Sequence, residues 1–111
     1  MDARKLLALT GAAVMVISVS APARAQEDVA LGGNLAREVC SECHAVELGD
    51  LQSRNPDALA FQALANTPGM NAMTIKVWLL SPHRTMPLFV LSGAELEGVS
   101  AYILSLEHMA P

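Results

Sequence analysis

The sequence predicts an all-α protein with an N-terminal helix, a C-terminal helix and short helices joined by long loops. One apolar stripe at helical spacing runs through the last segment, formed by Leu96, Val99, Ile103 and Leu106. Ser92 and Glu95, just before that stripe, have the three-residue spacing of a capping box. No alternation of apolar and polar residues indicates a strand. The 111 residues leave room for a single domain.

Residues 1–25 have the layout of a secretory signal peptide. Two basic residues near the start precede a mostly apolar run over residues 6–20, and the small residues Ala23 and Ala25 mark a cleavage site. The apolar run of about 15 residues is shorter than the roughly 20 that span a bilayer. We therefore expect cleavage after Ala25 and a periplasmic domain of residues 26–111 with no stable membrane span. Retention as an uncleaved anchor is the alternative.

Cleavage would leave a strongly acidic chain. The full sequence has 7 basic and 11 acidic residues and a formal net charge of −4. Three basic residues and one acidic residue lie before the cleavage site, so four basic and ten acidic residues would remain, a formal charge of −6. This balance argues against nucleic-acid binding, which uses faces rich in Lys and Arg. It fits either a partner with a basic docking surface or a role in solubility alone.

The first helix of the mature chain leads straight into a pair of cysteines. Asp28 can cap this helix, which runs into Cys40. Its apolar face would consist of Leu31 or Gly32, Leu35, Ala36 and Val39. Residues 47–56 are rich in turn-forming types and predict an irregular loop, and a helical turn is expected near residues 58–65.

A short helix and a second loop precede the last helix. Thr74 can cap a helix over residues 75–80, and Ser81-Pro82 ends it because the residue before a proline disfavours helical geometry. Residues 81–91 show no helical period and predict an extended loop. So small a chain with such long loops needs something central to pack around.

Cys40-Ser41-Glu42-Cys43-His44 is a CxxCH sequence, the attachment signature of c-type haem. Residues three and four apart share one face of a helical turn. Both thiols can therefore reach the vinyl groups along one porphyrin edge, while His44 directs a ring nitrogen at the iron. The sequence predicts one haem, covalently bound by Cys40 and Cys43 and ligated by His44.

Three other uses of the cysteines are weaker. A redox disulfide of the thioredoxin type follows a βαβ pattern, which this sequence lacks. A closed zinc site needs four ligands and would require both other histidines at unsuitable spacing. A plain disulfide suits an oxidising compartment but gives no reason for the adjacent histidine.

The second axial ligand must come from the far side of the ring. Met86 is the best-placed candidate, because Pro87 holds it extended in a loop and away from helix packing. His83, in the same loop, is the alternative. The other candidates are expected to be packing, terminal or surface residues: Met70, Met73, Met109 and His108.

Three segments together resemble a class I cytochrome c of the small bacterial type: Gly32–Val39 with the CxxCH sequence that follows it, Ser81–Pro87 and Ser92–Leu106. The resemblance covers nearly all of residues 32–106. It implies a cytochrome c-like fold in which N- and C-terminal helices cross and long loops wrap around one covalently bound haem c. The roles it implies fall on these residues: haem attachment on Cys40 and Cys43, and axial ligation of the iron on His44 and Met86.

The resemblance also implies roles for other residues. A glycine of the first helix would cross an aromatic of the last, which Gly32 and Tyr102 fit. A proline carbonyl would accept a hydrogen bond from the proximal imidazole, and Pro56 is the candidate. Ala36 stands where the family usually has a larger residue, which predicts a looser helix crossing. Trp78 resembles a residue that packs beside the haem, and simple burial in its short helix is the alternative.

Histidine and methionine ligands would leave the iron no free coordination position, which suits one-electron transfer and excludes substrates. The predicted function is a periplasmic one-electron carrier that docks with donor and acceptor redox proteins, and not an enzyme. Two alternatives remain open. One is a haem-based gas sensor or peroxidase-like protein with an open distal site. The other is a fixed electron-transfer subunit of a larger dehydrogenase.

Overall fold

The computed structural model describes residues 11–18, 20–81, 83 and 85–107. Within these ranges the chain is helical and contains no strand, which confirms the predicted all-α class. The elements in chain order are α1 (Ser20–Glu38), a 3-10 turn (Cys40–Glu42), α2 (Phe61–Ala65), α3 (Ala72–Leu80) and α4 (Gly93–Ser105). None of the helices described is both long enough and apolar enough to cross a membrane.

Helix α1 begins at Ser20, so the predicted start at Asp28 is wrong. The residues between these two positions are rich in alanine, with Gln and Glu, all good helix formers, which lets the helix extend back from its packed part. Pro22 falls in the first turn, where its missing N–H breaks no helical hydrogen bond. Asp28 therefore lies inside the helix, and cleavage after Ala25 stays a prediction.

Helices α1 and α4 cross with their backbones in direct contact. A Cβ atom added at Gly32 would lie 1.8 Å from the carbonyl oxygen of Gly98, so only a glycine fits at the crossing point. The ring of Tyr102 packs on Gly33 instead, where an added Cβ would lie 3.0 Å from Cε2 of the ring. The predicted Gly32–Tyr102 pair is thus wrong by one residue. The looser crossing expected at Ala36 is also wrong, because Ala36 is 0% exposed.

Helix α4 forms as its sequence predicts. The Ser92 hydroxyl accepts a hydrogen bond from the Glu95 backbone N–H at 3.1 Å, and the Glu95 carboxylate accepts one from the Ser92 N–H at 2.7 Å, which confirms the capping box. Three members of the predicted stripe are buried and Leu96 is half-buried. The buried core draws on every helix: Ala36, Val46, Phe61, Ala65, Ile75, Val99, Tyr102, Ile103 and Leu106.

The two short helices differ from their predicted bounds. The cap of α3 is Asn71, whose side-chain oxygen accepts from the Thr74 N–H at 3.0 Å, so Thr74 is not the cap. Helix α2 begins at Phe61 because Ala60 is extended, with ψ of 143°, and ends the preceding loop. Helix α3 ends at Leu80, as predicted.

The predicted loops over residues 47–56 and 81–91 contain no helix where the structure describes them. Ser81 is extended, with φ of −102° and ψ of 145°, the conformation expected before a proline. Pro82 itself lies outside the described residues. So do two residues considered as ligands, His108 and Met109, and the basic start of the proposed signal segment.

Candidate functional site

A cavity of about 580 Å³ lies between the CxxCH turn, helix α3 and the loop that follows it. This volume falls within the roughly 300–1,000 Å³ typical of sites for cofactors and small molecules. Most of the wall is apolar: Phe61, Ile75 and Ile103 contribute buried side chains, and Val39, Leu64 and Leu79 half-buried ones. A space of this kind accommodates a large, flat and mainly apolar group.

The CxxCH segment forms one compact turn at the wall of the cavity. The N–H groups of Cys43 and His44 both donate to the Cys40 carbonyl, at 3.1 and 2.9 Å. These bonds bring the backbones of the two cysteines and His44 together in one turn. Both thiols are free and half-buried, and both line the cavity together with His44. Burial raises the pKa of the Cys40 thiol above its ordinary value.

The imidazole of His44 is held by the backbone on one side only. Its Nδ1 lies 2.6 Å from the Leu59 carbonyl oxygen. Because a carbonyl can only accept, Nδ1 is the donor, and in the neutral imidazole Nε2 then has its lone pair available for a ligand. The Phe61 ring packs on the imidazole with centroids 5.3 Å apart. The acceptor expected at Pro56 is therefore wrong.

Leu59 reaches His44 because two chain segments run side by side there. The N–H of Phe61 donates to the Ala45 carbonyl at 2.9 Å, which places residues 59–61 beside residues 44–45. No side-chain pattern marks Leu59 in the sequence, because its carbonyl makes the contact and every residue type has one. Phe61 is the second residue that sequence reasoning missed, and its being an aromatic at the start of a short helix was the available signal.

The loop after α3 supplies another part of the cavity wall. Met86 is half-buried and lines the cavity, as does His83. Met70 also lines the cavity and packs against the core, as expected of a packing residue. Met73 was expected to pack in the core too, but it is 69% exposed, so that expectation is wrong. Trp78 is 58% exposed and lines the cavity, so its burial inside α3 is excluded.

The residues fit a covalently bound haem better than the other uses of this motif. The structure places the two cysteines, His44 and Met86 on the wall of one mainly apolar cavity. Across the described part of the chain, no group of three or more His, Cys, Asp or Glu side chains is arranged to hold a metal ion. A thiol pair, a free imidazole nitrogen and a thioether sulfur are the groups that attach and ligate a haem iron.

Comparison with known proteins identifies the family. The chain is 32% identical to cytochrome c-552 of Bradyrhizobium diazoefficiens over 93 residues, which are 84% of this chain and 88% of that relative. No family model and no solved structure matches the chain significantly. The chain therefore belongs to the cytochrome c family, and its cofactor is covalently bound haem c with its iron.

Proposed function

We propose that the protein is a periplasmic one-electron carrier of the class I type. The haem would be attached through Cys40 and Cys43, and its iron ligated by His44 and Met86. One observation carries the proposal: all four side chains line a single cavity of about 580 Å³. The bound haem would supply reversible one-electron chemistry at its iron.

The protein's contribution on the proximal side is a fixed imidazole. The Leu59 carbonyl accepts a hydrogen bond from the Nδ1–H of His44, which favours the tautomer with Nε2 unprotonated and increases the donor strength of Nε2. Phe61, packed on the imidazole, limits rotation of the ring. A ligand held in one orientation changes little between the oxidised and reduced forms, and this favours fast electron transfer.

On the distal side the protein would fill the sixth coordination position of the iron with the Met86 side chain. Met86 lies directly before Pro87, which disfavours helical geometry at Met86. Its side chain lines the cavity. A thioether takes up no proton near neutral pH, and it favours the reduced iron relative to a second imidazole. With both axial positions filled by side chains, substrates and small gases are excluded, and electron transfer remains.

The surface charge fits a basic redox partner. Two of the four basic residues that would remain after cleavage already form ion pairs: Arg37 with Glu47 at 2.6 Å, and Lys76 with Glu97. Each pair combines one positive and one negative charge, so it leaves the formal charge of −6 unchanged. A chain with a formal charge of −6 would then be steered toward a positively charged docking surface.

Replacement of Met86 tests the proposal. Met86→Ala should abolish the sulfur-to-iron absorption band of the oxidised protein, and it should let the reduced protein bind carbon monoxide. Met86→His should keep the iron closed and lower the reduction potential, because imidazole donates more strongly to oxidised iron than a thioether does. Matched controls are Met70→Leu and Met73→Leu, which should retain the band. Persistence of the band in Met86→Ala would show that another residue ligates the iron.

A further inference from the structure

We propose that Trp78 is a positioning residue that selects the sixth iron ligand by holding His83 against its indole ring. The proposal rests on ligation of the iron by Met86. It adds the reason why Met86, and not a neighbouring imidazole, binds the sixth coordination position. The observation behind it is a ring contact at the cavity wall. The centroids of Trp78 and His83 are 5.0 Å apart, with an angle of 33° between the planes.

His83 is a chemically competent rival for the iron. It lies three residues before Met86, and both side chains line the same cavity. A neutral imidazole is among the commonest ligands of haem iron. Of the histidines that the structure describes, His44 is already committed to the proximal side through its bond to Leu59. A loop that offers both groups therefore needs a feature that decides between them.

Trp78 can provide that feature because its own position is fixed. It belongs to helix α3, which is capped by Asn71 and anchored in the core by Ile75. His83 lies in the loop beyond the end of that helix. The ring contact thus joins the loop to a rigid element, and an imidazole packed on the indole is withheld from the iron.

The geometry sets the size of the effect. The 5.0 Å separation is within the 4.5–7 Å range of favourable aromatic pairs. Contacts of this kind bias an equilibrium between two arrangements by roughly 2- to 13-fold. Removing the indole should therefore raise the ratio of His83-ligated to Met86-ligated protein by roughly that factor.

The experiment compares ligand populations in frozen, oxidised, haem-loaded protein by electron paramagnetic resonance. Bis-histidine and histidine–methionine haems give separate signals there. Trp78→Ala should raise the bis-histidine to histidine–methionine ratio by roughly 2- to 13-fold, and Trp78→Phe should raise it less because a ring remains. Val77→Ala, at a neighbouring exposed position of α3, is the matched control and should leave the ratio unchanged.

A second variant shows whether the new ligand is His83. Adding His83→Ala to Trp78→Ala should remove the extra bis-histidine signal. An unchanged ratio in Trp78→Ala, or an extra signal that survives His83→Ala, would overturn the proposal. Because Trp78 is largely exposed, its truncation should leave the helical circular dichroism intact. Failure of Met86 as the ligand is distinguishable, since the wild type would then lack the histidine–methionine signal altogether.

Discussion

The close crossing of α1 and α4 predicts that Gly32→Ala is strongly destabilising. The added Cβ would lie 1.8 Å from the carbonyl oxygen of Gly98, 2.2 Å from its carbonyl carbon and 2.7 Å from the Val99 nitrogen. Ordinary contact with a Cβ begins near 3.4 Å. All three neighbouring atoms belong to the backbone of a helix, so no side chain can rotate out of the way. The two helices must move apart to accommodate the methyl group.

The cost follows from that geometry. Overpacking a well-packed interior costs about 1–3 kcal/mol, and the rigid backbone neighbours place Gly32→Ala at or above the upper end of this range. Alanine recovers about 1 kcal/mol of helix propensity relative to glycine. The net loss in the free energy of unfolding should be about 2 kcal/mol or more. For a domain of this size, 2 kcal/mol lowers Tm by about 8–16 °C.

The assay is guanidinium unfolding of the haem-loaded, oxidised protein, followed by far-ultraviolet circular dichroism and extrapolated linearly to water. Gly93→Ala is the control, because a Cβ at Gly93 has no atom within 4 Å and its effect should stay within about 0.5 kcal/mol. Gly33→Ala should be intermediate, since its closest neighbours are side-chain atoms of Tyr102 that can shift. A Gly32→Ala protein as stable as the Gly93→Ala protein would refute the described crossing.

Four further predictions concern the core, its pH dependence, the attachment site and the partner. The Tyr102 hydroxyl donates to the Val46 carbonyl at 2.7 Å in a buried position, so Tyr102→Phe should lower the free energy of unfolding by about 1–2 kcal/mol, measured by the same denaturant titration. Burial, and next the Glu47 carboxylate, raise the pKa of the Tyr102 phenol, so the unfolded chain loses the phenol proton at a lower pH than the folded protein does. The free energy of unfolding of the wild type should therefore fall as pH rises above about 10. A Tyr102→Phe protein without that fall would confirm the phenol as the cause. Cys43→Ala should leave a single thioether bond and weaken the haem stain after denaturing electrophoresis, while a second change at Cys40 should abolish it; an undiminished stain in the double variant would exclude these attachment points. Electron-transfer rates with a partner that has a basic docking surface should fall as salt rises from about 10 to 300 mM, and rates that stay flat would assign the acidity to solubility alone.

Patterns that are local in the sequence predicted the structure well. The capping box of α4 and its apolar stripe need only residues three and four apart, and both form as expected. The CxxCH turn is equally local. The structure places this turn and Met86 on the wall of one cavity, and ligation of the iron by Met86 stays a prediction.

Contacts between distant segments were predicted less well, for physical reasons. The acceptor for His44 is a backbone carbonyl, and the sequence carries no mark of which carbonyl will lie within reach. The helix crossing depends on rotation of α1 about its axis, and neighbouring glycines allow two registers. The structure places Gly32 on Gly98 and leaves Gly33 for the Tyr102 ring.

The measurement that tests the central claim most directly is carbon monoxide titration of the reduced wild-type protein, followed by its absorption spectrum. If His44 and Met86 close both axial positions, carbon monoxide should not bind stoichiometrically, and the oxidised protein should show the sulfur-to-iron band. Stoichiometric binding of carbon monoxide at neutral pH by folded wild-type protein would contradict the account. It would make a gas-binding or peroxidatic haem the better description of the site.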